Sequence, residues 1–302
     1  MTELKIPGKV MLSGEYAVLH GGTAVMAPVP CYLLLKESDS RDSSEYPRVV
    51  KHALELHIDE IGGFENKNGL PGIELDNSQF FSVDSEGNKL KLGLGLSAAE
   101  AVGTIALRFE RAGLPWEHNR EKIIKYAFKA HNHAQSGLGS GADIAVCAFA
   151  HPIKFRKTDE QLHIEPIECD LMEYKLPLKL AWTGMPSDTR NMVAAFEKWA
   201  KSGDRDLLKQ LIASADDLAD AWFRQPLEEL YEKIDNFSSH LRQISKSADL
   251  PLYLPIHDEL EEWARNNGGR AKPTGAGGGD MILIIGDLPV RHPEDTLIPL
   301  ML

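Results

Sequence analysis

Cysteine is scarce in this chain. Only Cys31, Cys147 and Cys169 occur among its 302 residues. They lie far apart and in no paired spacing, which excludes a disulfide framework and a thiolate metal site and fits a reduced, cytoplasmic compartment best. No run of about 18 apolar residues exists, so no membrane-spanning helix is expected. Residues 1–9 lack the apolar centre of a signal peptide. No cluster of Lys and Arg stands out, and the net charge is -12, which argues against nucleic acid as the main partner. The eleven histidines show no zinc spacing. His131 and His133 are two apart in a helical stretch and face different ways. No serine sits in a G-x-S-x-G elbow, so hydrolase chemistry has no support. Internal repeats and low-complexity segments are also missing.

What is present is enough apolar residue, 43%, to bury a large core in one big domain or two ordinary ones. Residues 4–35 read as strand, glycine-marked turn, strand, the second bent or at an edge because Pro28 and Pro30 interrupt it. Residues 36–48 read as a polar surface loop, residues 51–61 as a helix and residues 73–83 as strands. The clearest helix of the first half covers residues 97–112, with Ser97 and Glu100 in capping-box spacing and Gly113 and Pro115 beyond its end. Further helices are expected at 119–135 and 140–150, and strands near 153–155 and 163–167. After a boundary near 168–175 the texture changes: a strand at 176–182, long amphipathic helices at about 189–202, 205–223, 226–247 and 256–267, then an apolar strand at 281–285.

Three glycine-rich stretches carry the chemistry. The first is Pro7-Gly8-Lys9 followed by Ser13-Gly14-Glu15-Tyr16-Ala17-Val18; the second is Gly93-Leu94-Gly95-Leu96-Ser97-Ala98-Ala99; the third is Lys272-Pro273-Thr274-Gly275-Ala276-Gly277-Gly278-Gly279-Asp280. Glycines just ahead of a helix let the backbone wrap an anion, and the helix N-terminus favours negative charge. A triphosphate suits the second stretch, with Ser97 offering its hydroxyl to a bridging magnesium ion; the plainer reading is a glycine turn with Ser97 as a cap. The third stretch reads either as a loop built for close approach to a ligand or as a linker. Asp143, after Ser140-Gly141-Ala142, is either a first-turn charge or a carboxylate beside a phosphate site that takes a hydroxyl proton. Lys9, placed at a strand end, is a surface cation unless it meets Asp143 and the phosphates.

In this order and at these separations the three stretches resemble the motifs of the GHMP kinase superfamily: PGK-x-x-L-x-GEYAV its first, G-L-G-x-S-A-A its second, K-P-T-G-A-G-G-G-D its third. The resemblance spans residues 7 to 280 and implies an α+β fold, with an N-terminal ribosomal protein S5 domain 2-like domain (residues 1–170) and a ferredoxin-like C-terminal α/β sandwich (171–302), ATP lying between them. It implies ATP as co-substrate, Mg2+ as cofactor and a small-molecule acceptor, in a monomer or homodimer. Asp143 would be the catalytic carboxylate and Lys9 its partner. Gly93, Leu94, Gly95, Leu96, Ser97 and Ala98 would hold the phosphates, with Ser97 on the metal. Ser13, Glu15 and Tyr16 would line the acceptor or nucleotide side, Gly275, Gly277 and Gly278 would shape the floor where acceptor and phosphates meet, and Ser140, Gly141 and Ala276 would bind substrate, with Arg190 and Asp280 as further candidates.

Three details are similar to the phosphomevalonate kinase branch: Asp280 closing the third motif, the Ala130-His131 to Ala145 segment, and Trp182-Thr183-Gly184-Met185-Pro186 leading to Met192-Val193. Mevalonate kinases place a magnesium-binding Glu about eleven residues before the catalytic Asp, where this chain has Asn132. The resemblance therefore implies phosphomevalonate as acceptor before mevalonate or another alcohol. Two departures stand out. Leu96 replaces the first of the two serines of the second motif, which leaves open a metabolite-binding homologue with weak catalysis. Lys89-Leu90-Lys91-Leu92 replaces the expected proline.

Overall fold

The alternation of Leu4, Ile6, Val10 and Leu12, all buried, makes the first strand, β1 (Glu3–Ser13). A turn with a 3₁₀ segment at Ala17–His20 returns the chain as β2 (Thr23–Ser38). There follow α1 (Arg48–Glu55), α2 (Gly62–Asn68), β3 (Gly72–Asp76), β4 (Phe81–Val83), β5 (Lys89–Lys91), α3 (Leu96–Arg111), α4 (Arg120–Ala134), α5 (Ala142–Phe149), β6 (Ile153–Lys157) and β7 (Leu162–Pro166). The second half runs β8 (Leu178–Trp182), α6 (Thr189–Ser202), α7 (Arg205–Ala221), α8 (Leu227–Ser247), α9 (Pro255–Asn266), β9 (Arg270–Pro273), β10 (Met281–Ile285) and β11 (Leu297–Pro299). The structure, a computed structural model, describes residues 3–39, 44–83, 86–134, 139–158, 161–167, 176–223, 226–289 and 297–300. The expected boundary at 168–175 lies outside the described residues.

The first sheet is antiparallel, in the order β1-β2-β6-β7, with β3 on the far end of β2. β6 pairs with residues 23–26 of β2 and β3 with residues 34–38. Pro28 and Pro30 fall in the stretch between, where β1 alone is alongside. The register there jumps from Pro7↔Tyr32 to Gly8↔Val29. The strand is thus irregular where the prolines lie, but it is a central strand of the sheet and not an edge, the prolines falling between the stretches that pair with β6 and β3. Ala142, Ala145 and Val146 of α5 pack on Met11, Ala24, Met26, Ile153 and Phe155 of this sheet. The approach of α3 is close, since a Cβ on Gly103 would lie 2.4 Å from Leu35 Cδ1.

The second sheet is also antiparallel, in the order β11-β8-β10-β9. Numbered from its first strand, that order is 4-1-3-2, the split β-α-β arrangement of a ferredoxin-like sandwich. Helices of this half cross back: Phe196 of α6 packs on the Tyr16 ring, centroids 4.5 Å apart, and α7 packs on β1, β2 and the Ala17–His20 turn. There Asp216 Oδ1 accepts the Thr23 N–H at 2.8 Å and Trp222 Nε1 donates to Ser13 Oγ at 3.0 Å.

Three local expectations need correction. The helix expected over 51–61 is α1, which starts at Arg48 and stops at Glu55; Ile58 and Ile61 are buried from a turn instead. A distant residue ends it: Arg108 donates to the carbonyls of Ala53 and Leu56 at 2.5 and 2.9 Å, occupying acceptors that a continuing helix would use. The Ser97–Glu100 capping box does not form, because Gly95 in the left-handed region (φ 80) is the N-cap of α3. Lys9 lies mid-strand rather than at a strand end.

Candidate active site

Lys9 is held by the second glycine stretch. β1 is an edge strand, and the outward N–H of Lys9 donates to Leu94 O at 2.9 Å. Gly95 then passes so close that a Cβ on it would lie 2.6 Å from Lys9 Cγ. With its backbone fixed and its stem pressed against glycine, the side chain extends to Asp143, where Nζ lies 3.3 Å from Oδ2. Asp143 sits in the first turn of α5, after Gly141 at φ 92, and is about one-third exposed at 37%, so the pair opens to solvent on the carboxylate side.

Around this pair lies a cleft of about 940 Å³. Of the sequence-predicted residues, Lys9, Tyr16, Gly93, Leu94, Gly95, Ser97, Ser140, Gly141, Asp143, Arg190, Gly275, Ala276 and Asp280 line it. The three glycine stretches thus converge. Asp280 marks the junction: its carboxylate lies where a Cβ on Gly93 would be, 2.4 Å from Cγ. Its Oδ1 accepts the Ser187 N–H at 3.1 Å. Burial pushes the Asp280 carboxyl above its ordinary range, with Ser187, Lys9 and Lys91 pulling it back.

Other predicted residues do not open on the cleft. Ser13 is fully buried and bonded to Trp222. Glu15 is buried against Lys272 in an ion pair, its carboxyl raised by burial and lowered in turn by that lysine. Leu96 and Ala98 turn inward to the core. Gly277 and Gly278, at φ 69 and 68, shape the loop where it passes the backbone of Pro251 and Leu252. In each case the motif sets the backbone path, and neighbours decide which way the side chain points.

Several lining residues were missed: Arg48, Lys91, Glu100, His131, Ser187 and Asp188. Lys91, two residues before Gly93, had a legible signal as a cation beside a glycine loop. Arg48 and His131 had none, since the tertiary fold brings α1 and α4 to the cleft. His131 Nε2 lies 3.1 Å from Ser97 Oγ, and burial holds its imidazole below the ordinary value. Burial also pushes the Glu100 carboxyl to about 7, against Lys91 and an Asn77 hydrogen bond that lower it.

Among the described residues no three His, Cys, Asp or Glu side chains gather into a metal cage. The cleft wall offers oxygen donors, the Ser97 hydroxyl and the Asp143 carboxylate among them. That set fits a hard cation which keeps much of its coordination for water and phosphate oxygens. Among the described residues no helix is long and apolar enough to cross a membrane.

Residues 48–151 match the GHMP kinases N terminal domain. A phosphomevalonate kinase of Saccharolobus solfataricus is 29% identical over 301 residues, covering 95% of this chain and 91% of that protein. A mevalonate kinase of Archaeoglobus fulgidus is 28% identical, covering 91% of this chain and 89% of its own length. Streptococcus pneumoniae phosphomevalonate kinase in complex with phosphomevalonate and AMPPNP superimposes with a TM-score of 0.76 at 20% identity, over 96% of this chain and 93% of that one. Converging loops, matched domain and relatives along nearly the whole length agree: residues 48–151 form a GHMP kinases N terminal domain, and the chain is a phosphotransferase.

Proposed function

We propose that this enzyme transfers the terminal phosphoryl group of ATP to phosphomevalonate, giving the diphosphate. The observation that carries the reading is the Lys9–Asp143 pair, 3.3 Å apart, standing over the Gly93–Ser97 loop in one cleft. The phosphate acceptor is supported by the phosphomevalonate kinase relative that matches 95% of this chain. It is also supported by Arg48, Lys91 and Arg190 on the cleft wall, cations able to hold a second anionic ligand beside the triphosphate.

A phosphate oxygen of the acceptor attacks the terminal phosphorus of ATP in line, and the bond to the bridging oxygen of ADP breaks. The acceptor is largely ionised at neutral pH, so there is little proton for a base to remove, and alignment supplies most of the rate. Lys9 offsets the charge of Asp143 and faces the transferring group; Asp143 fixes Lys9 and with it the acceptor oxygen. The amides of the second glycine stretch and the N-terminus of α3 receive phosphate charge. Mg2+, held by Ser97 and Asp143 with phosphate oxygens, would neutralise charge on the nucleotide. The scarcity of cysteine supports a cytoplasmic location.

A second reading, an alcohol acceptor such as mevalonate, is favoured by the Archaeoglobus mevalonate kinase relative and by an Asp143 carboxylate exposed enough to take a proton. ADP release measured with phosphomevalonate, mevalonate, homoserine and simple sugars separates the two. Turnover with phosphomevalonate alone is expected; turnover with an unphosphorylated alcohol alone supports the second reading. Ligand-induced thermal shift without turnover would mean a binding protein that kept the fold, with Leu96 as the lesion. In the same assay Asp143→Asn is expected to fold normally and lose about 100-fold or more in kcat; near-normal turnover would remove Asp143 from the mechanism.

A further inference from the structure

The Glu15–Lys272 ion pair joins the first glycine stretch to the third, and it is buried. Each side chain is 1% exposed, a depth no other ion pair among the described residues reaches on both sides. Lys272 lies in β9, the strand that runs into the third glycine loop. Its Nζ donates to Glu15 Oε1 and, at 2.8 Å, to Pro273 O. One residue beyond Glu15, Tyr16 takes a left-handed backbone (φ 61) and donates its hydroxyl to Ala276 O at 2.5 Å. The chain from 272 to 276 is therefore fastened by two consecutive residues of the opposite half. Neither Glu15 nor Lys272 opens on the cleft, whereas Gly275, Ala276 and Tyr16 do.

Stability does not explain such a pair. Desolvating two charges costs about as much as their attraction returns, and apolar replacements of similar volume are often neutral or stabilising. Beyond Lys272, the carboxyl of Glu15 is steadied only by the backbone N–H groups of Glu15 and Gly275, which lower its pKa against burial. What an ion pair supplies and an oily contact does not is a fixed direction and distance.

We propose that Glu15 and Lys272 are positioning residues: their buried pair fixes the root of the third glycine loop against the first and so sets where Gly275 and Ala276 meet the acceptor. This rests on the kinase reading of the cleft. The nucleotide side belongs to the second glycine stretch, which the pair does not touch, so its loss should be felt by one substrate and not the other.

The test is the double variant Glu15→Gln/Lys272→Met, which removes both charges and leaves none buried and unpaired. In the ligand-free protein, amide hydrogen exchange over residues 274–279 is expected to quicken about tenfold while β8 and β10 keep their protection. In steady state the acceptor KM is expected to rise about tenfold with the ATP KM essentially unchanged. Exchange and kinetics both at wild-type values would overturn the proposal, as would KM values for the two substrates rising together. Should the double variant not fold, Lys272→Arg keeps the charge but displaces the loop root. It is then expected to raise the acceptor KM several-fold alone, and an unchanged acceptor KM would refute the idea. The exchange measurement uses no substrate. If no acceptor were turned over by the wild type, the kinase reading would fall and the exchange result would still decide whether the pair fixes the loop.

Discussion

Gly95 has two reasons to lack a side chain. Its backbone stands at φ 80, where an L-residue is strained, and a Cβ would collide with the stem of Lys9 at Cγ and Cε, 2.6 and 2.8 Å away. Gly95→Ala is therefore expected to cost roughly 1–3 kcal/mol of stability through backbone strain and to push Lys9 off Asp143. Displacements of this kind cost up to about 100-fold in rate. Thermal melts and steady-state kinetics check both; a variant with wild-type kcat would mean that the position of Lys9 is not what matters. At this scale the short motifs lead to the cleft wall for Gly93, Gly95, Lys9 and Asp143. Ser13 and Glu15 share a motif with Tyr16, which lines the cleft, but turn to Trp222 and Lys272. Motif membership fixes spacing along the chain, not the direction of a side chain.

At the scale of elements, α3 shows what a local signal omits. Ser97 and Glu100 have the spacing of a capping box, yet Gly95 caps the helix. Ser97 meets His131 and Glu100 is buried at 4% exposure. The consequence is a pH dependence. The folded carboxyl of Glu100 keeps its proton to about 7, whereas the unfolded one releases it near 4.5. The folded state thus binds more protons between those values, and the contribution of Glu100 to stability is full below pH 4.5, declines as pH rises, and is gone above 7. Glu100→Gln is expected to stabilise the protein by about 1–3 kcal/mol at pH 8 and by almost nothing at pH 4.5. Urea unfolding at the two pH values measures this, and an equal effect at both would contradict it. The same lesson applies to α1: its apolar spacing predicts a longer helix, and Arg108, more than fifty residues away, ends it by taking two of its carbonyls.

For the whole molecule, the two halves share more than a linker. Besides the Glu15–Lys272 pair, α7 lies on the first sheet, with Asp216 accepting from Thr23, Asp220 paired to Lys154 at 2.5 Å, and Trp222 bonded to Ser13. A fragment ending at Ile167 loses this cover and is expected to melt without a sharp transition and to bind a hydrophobic dye, because the apolar face that α7 shields is then open to water. Circular dichroism and dye fluorescence decide it; a cooperative melt would mean that the first sheet and its helices suffice.

The sequence by itself determined the helices and strands of strong period, the glycine turns and the residue types of an anion site, because these depend on neighbours a few positions apart. The resemblance of its three motifs added the likeness to GHMP kinases. Only the tertiary structure decided which motif residues face the cleft and which hold it up, where α1 ends, and that α7 serves the opposite half. Those outcomes depend on burial and on partners tens to hundreds of residues away, and no local pattern encodes them.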